Sequence, residues 1–86
     1  MQIIVKKPTE AERNQLLSLG TWSCGVSTFD WHYDSEEVCL LVKGQVTVTY
    51  DGGSVSFGAG DMVTFPKGLS CVWDVTEPVL KHYLFR

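Results

Sequence analysis

Gly60-Asp61-Met62-Val63-Thr64-Phe65-Pro66-Lys67-Gly68-Leu69-Ser70-Cys71-Val72-Trp73 is the stretch that decides the fold. Gly60-Asp61 reads as a tight turn. Met62 to Phe65 is β-prone, and Pro66-Lys67-Gly68 ends it. Proline has no N–H to give to a sheet ladder, so it belongs where a strand stops. Cys71-Val72-Trp73 then resumes an extended run. Working outward, the same grammar repeats. Gln45 to Tyr50 alternates, with Val46, Val48 and Tyr50 on one face and Thr47 and Thr49 on the other. Asp51-Gly52-Gly53 is a hairpin signal, because these residues tolerate positive φ. Val55 and Phe57 answer on the returning strand. Glu37 to Val42 reads as a strand broken by Gly44. Val79 to Phe85 reads as the last strand, set off by a break at Glu77-Pro78. Upstream, Trp22 to Cys24 and Ser27 to Trp31 are strands around Gly25, and Gln2 to Lys6 is a short edge strand.

One helix interrupts this pattern. Thr9 is placed to cap the N–H of Glu12 while the Glu12 side chain reaches back. Glu10 and Glu12 add negative charge where the helix dipole favours it. Leu16, Leu17 and Leu19 give a small apolar face, and Gly20 is a natural stop. Such a helix flanks or caps a sheet. Many short strands with regular turns predict an all-β sandwich or barrel with one short N-terminal helix, in a single domain spanning residues 1–86.

Composition narrows function. Seven Lys and Arg against ten Asp and Glu give a net charge of -3, without a basic block. That excludes nucleic acid and anionic membrane as principal partners. No apolar run approaches the ~20 residues that span a bilayer, and residues 1–7 lack a signal-peptide core, so a cytoplasmic location is expected. Three cysteines (Cys24, Cys39 and Cys71) without CxxC spacing predict neither a disulfide framework nor a structural zinc site.

Two motifs resemble a known family. Gly60-x5-Pro66-x-Gly68-x2-Cys71 looks like the second cupin motif, G-x5-P-x-G-x2-H. Glu37-x6-Gly44 looks like the end of the first, E-x6-G. Trp31-x-Tyr33, Glu37-x-Cys39 and the run from Gly60 to Trp73 are similar to the small cupins related to ureidoglycine aminohydrolase and the ethanolamine-utilisation cupin. The resemblance implies a jelly-roll β-barrel and a homodimer, and the readings it leaves open are a small-molecule binder, an enzyme acting on a nitrogen-rich metabolite, and a dimeric structural module. Metal-bearing cupins carry an H-x-H pair before the glutamate and a histidine in the second motif. Here Cys71 stands in the second-motif position. A three-residue gap before Glu37 puts Trp31 and Tyr33 at the H-x-H positions; a four-residue gap puts Asp30 and His32 there. Bulky aromatics suit the inside of a small barrel, so the first alignment is favoured and His32 is expected to face outward.

The candidate ligand-binding residues are therefore Trp31, Tyr33, Glu37, Cys71 and Trp73, with Trp22 and Tyr83 as further aromatic wall. Glu37, on the face of Cys39 and Leu41, is the candidate anchor or catalytic base, and once buried it needs a partner. No metal cofactor is favoured. A divalent transition metal, if bound, would be held by Tyr33, Glu37 and Cys71, or by Asp30, His32 and Glu37. The competing reading is plain: aromatics at these positions also simply fill a barrel.

Overall fold

The computed structural model covers residues 1–86. Its elements are β1 (Ile4–Lys6), α1 (Glu10–Leu17), β2 (Thr21–Cys24), β3 (Ser27–His32), β4 (Glu37–Tyr50), β5 (Gly53–Gly58), β6 (Met62–Phe65) and β7 (Ser70–Phe85). Every strand pairing is antiparallel, in the order β1-β6-β4-β7-β2, with β3 on β7 and β5 on β4. This is a small jelly roll, the fold that the resemblance implies.

Two long strands build it. β4 pairs with β6 through its first residues, Glu37 to Leu40, and with β5 from Gln45 onward. β7 pairs with β3 through Ser70 to Val75 and with β2 through Val79 to His82. β4 and β7 pair with each other along most of their length. The two strands therefore belong to both sheets of the roll and carry the chain from one to the other.

Gly44 and Pro78, expected to end strands, instead mark a shared bend. The β4–β7 register shifts around Leu41 to Val46, and the ladder resumes on either side. Gly44 has φ +107°, and an added Cβ would lie 2.6 Å from the Pro78 carbonyl oxygen and 2.8 Å from Val79 Cα. Pro78 falls where the ladder is irregular, so its missing N–H leaves no partner stranded. A bulged strand bends and twists more strongly, which is how one strand serves two sheets.

The helix forms as its residues dictate. Thr9 Oγ1 accepts from Glu12 N at 3.1 Å, and Glu12 Oε1 accepts from Thr9 N at 3.0 Å, a complete capping box. The helix ends at Leu17 with Ser18 as its C-cap, ahead of Gly20. Leu16 packs with Val38, Leu40 and Met62, with Leu19 against them, whereas Leu17 is exposed. The first half of β4 is thus covered on both faces: Val38 and Leu40 by the helix, Cys39 and Leu41 by the barrel core. Asp61 closes the turn before β6. Partial burial pushes its carboxyl up, but the Lys7 ammonium at 2.7 Å and the Gly58 N–H at 2.9 Å outweigh this and hold it low.

Candidate functional site

One end of the roll opens into a cavity of about 140 Å³ lined by Trp22, Phe29, Trp31, Tyr33, Glu37, Trp73, Lys81, Tyr83 and Phe85. Period-two alternation explains the convergence. Phe29, Trp31 and Tyr33 share one parity from β3 onward, and Trp73, Lys81, Tyr83 and Phe85 share one on β7. Trp22 is the register partner of Lys81, Phe29 of Trp73, and Glu37 of Phe85. The rings lock one another. Phe29 stacks on Trp73 at 6.0 Å between centroids, and Trp22 meets Trp73 edge-on at 6.2 Å. Tyr33 stacks on Phe65 at 4.8 Å.

The polar floor is an ion pair. Lys81 Nζ donates to Glu37 Oε2 at 2.7 Å, and the two side chains are 8% and 2% exposed. The ammonium also lies over the rings of Trp73 and Trp22, 4.7 and 4.9 Å from their centroids. A buried cation is tolerable only with such compensation, here a carboxylate and two π faces. The Tyr33 hydroxyl lies beside the same carboxylate. Burial first, and then the negative charge of Glu37, push its ionisation far upward. The hydroxyl is therefore a neutral donor and acceptor at physiological pH. The buried indole Nε1–H of Trp73 sits near the Tyr33 hydroxyl and the Cys71 thiol, close enough to favour their ionised forms, yet completes no well-aligned hydrogen bond.

Of the residues expected at the site, Tyr33, Glu37 and Trp73 lie together in the cavity wall, fully buried. Trp31 is there too, but 48% exposed at the mouth rather than enclosed. Cys71 is in the core and does not line the cavity; its thiol donates to the Trp31 carbonyl at 3.7 Å. Burial raises its pKa, as expected of a thiol packed in apolar surroundings. His32 points outward, with Nδ1 2.7 Å from Ser70 Oγ, and Asp30 is exposed beside it. His82 turns toward the helix, with Nδ1 2.8 Å from the Leu19 carbonyl oxygen. Lys81 is the residue that sequence reading missed. Its inward parity with Val79 and Tyr83 was the available signal, and an inward Glu37 demanded such a partner.

The donor set does not fit a metal ion. The Lys81 ammonium is held against Glu37 where a cation would have to approach. Both imidazoles face away from the cavity, and no group of three or more His, Cys, Asp or Glu side chains is arranged to hold an ion.

The comparisons agree with this fold. A profile of the EutQ-like cupin domain matches residues 11–83. The chain belongs to the EutQ-like cupin family. A DUF861-family protein of Thermotoga maritima superposes with a TM-score of 0.93 at 41% identity, over 99% of this chain and 100% of that one. The EutQ protein of Clostridioides difficile superposes with a TM-score of 0.71 at 26% identity, over 77% of this chain and 52% of that one. In sequence, the protein named acetate kinase EutQ from Clostridioides difficile is 27% identical over 66 residues. This EutQ-like cupin spans 42% of the length of that relative, so the activity in its name belongs to a longer protein.

The core thiols of this cupin make a prediction. Burial pushes Cys39, fully enclosed beside Val63, up to about 12, and the positive charge of Lys81 only partly offsets this. Unfolded cysteine ionises near ~8.5. The folded pKa is the higher one, so stability is complete below the unfolded value and declines as pH rises through the window up to the folded one. The slope is roughly 1.4 kcal/mol per pH unit for each such thiol. Urea midpoints measured at pH 7, 9 and 10.5 should fall steadily above pH 9, and Cys39→Ala should flatten that fall. An identical slope in Cys39→Ala would show that Cys39 is not responsible.

Proposed function

We propose that this EutQ-like cupin binds a small polar metabolite in the aromatic cavity, over the Lys81–Glu37 pair. The carrying observation is a charged pair at the floor of an otherwise apolar, half-open cavity. Buried ion pairs add little stability compared with apolar side chains, so a reason beyond folding favours their retention at a cavity floor. The size of about 140 Å³ sets the scale, since an apolar cavity near 150 Å³ holds one benzene ring. A ligand portion of about one such ring, roughly six non-hydrogen atoms, fits inside, with any remainder at the open mouth.

Pairing with Lys81 favours binding over a general-base role for Glu37. A carboxylate that took a proton would leave the ammonium without its counter-charge in a dry site. The test is a thermal-shift screen of small neutral and charged metabolites, followed by the indole N–H NMR signals. All three tryptophans of the chain line the cavity, so a bound ligand must disturb them. A ligand at 100 times its dissociation constant adds about 2.7 kcal/mol, which for a domain of this size raises the melting point by roughly 10 °C or more. If no compound moves either signal, the proposal fails.

A further inference from the structure

We infer that the cavity selects small neutral carbonyl compounds carrying an N–H, amides above all, over carboxylates and amines. The inference rests on the binding reading above and sharpens it to a chemical class.

An ammonium has three donors. Lys81 Nζ spends one on Glu37 Oε2, and its other close neighbours are ring faces, which accept only weakly. Two N–H groups of a buried cation are thus left for an oxygen acceptor in the cavity. Glu37 keeps lone pairs, and the Tyr33 hydroxyl stands beside it, so acceptors for an incoming N–H lie next to those donors. An amide presents a carbonyl oxygen and an N–H on one edge, which is the complement of this floor. Its planarity suits walls built from rings.

Charge bookkeeping then separates the ligand classes. Lys81 and Glu37 sum to zero inside an enclosure whose lining is otherwise uncharged. A carboxylate would meet Lys81 but bring a second anion beside Glu37. An amine would meet Glu37 but bring a second cation beside Lys81. Either leaves one uncompensated charge against a floor whose own side chains are buried from water, and that is costly. A neutral amide uses both partners and leaves the balance untouched. The aromatic cage, which elsewhere suits a ligand cation, already holds one of its own in Lys81.

The test uses four matched probes on the folded full chain: benzamide, benzoate, benzylamine and toluene. Binding is titrated through the indole N–H resonances. Benzamide should bind at least tenfold more tightly than benzoate or benzylamine, and more tightly than toluene. In the double variant Glu37→Leu/Lys81→Met, which removes both charges together, benzamide should weaken at least fivefold while toluene changes by less than twofold. Benzoate or benzylamine matching benzamide, or an unchanged benzamide affinity in the double variant, overturns the inference. Toluene binding as tightly as benzamide overturns it too, yet leaves the cavity reading intact. Silence from all four probes removes both.

Discussion

Lys81→Met is expected to lower the unfolding free energy by about 3–5 kcal/mol, the usual result of stranding one member of a buried ion pair. Glu37 is 2% exposed, and its carboxylate would lose the ammonium that now sits 2.7 Å away. Methionine keeps much of the lysine stem's packing against Trp22 and Trp73, so the loss isolates charge more than volume. Glu37→Gln should also destabilise, leaving the ammonium over its rings without a counter-charge. The decisive measurement is the double variant. Glu37→Leu/Lys81→Met should recover most of what Lys81→Met loses, because apolar replacement of a whole buried pair is often neutral or better. Urea unfolding of the three variants reads this directly. If Lys81→Met costs less than about 1 kcal/mol, water reaches the pair and the dry floor does not exist.

Gly44→Ala should cost about 3 kcal/mol or more. At φ +107° any side chain is strained, by ~1–3 kcal/mol. The new Cβ would also meet backbone, at 2.6 Å from Pro78 O and 2.8 Å from Val79 Cα, and backbone on a paired strand cannot swing aside as a side-chain tip can. Gly20→Ala and Gly25→Ala are the controls. Neither residue has positive φ, and an added Cβ meets nothing within 4 Å, so each should shift stability by less than about 0.5 kcal/mol. Equal melting points for Gly44→Ala and the two controls would mean that the bend of β4 over β7 is not fixed at this residue.

Much of this architecture is legible in the sequence alone. Thr9 and Glu12 announce the helix start because capping is local chemistry, settled within four residues. The hairpin at Asp51-Gly52 is local as well. The glycines and proline from Gly60 to Gly68 carry the cupin signature for the same reason. Gly44 and Pro78 show where such reading stops. Each alone is a breaker, and only their placement across from each other makes them a joint in two continuous strands. The cavity repeats the lesson. Glu37 declared itself as an inward carboxylate, but Lys81 lies 44 residues away, and no local pattern sets that register. Trp31 has the inward parity expected of it and still reaches the rim, because how deep a side chain sits depends on where the barrel ends.

The way β4 and β7 thread both sheets bears on how the chain reaches its native state. Glu37 must find Phe85, and Val48 must find Trp73, before either sheet has a centre. Only the β4–β5 ribbon joins neighbours in sequence without a long excursion. Collapse has to wait for remote segments to meet, a high-contact-order route that places the folding time in milliseconds to seconds rather than microseconds.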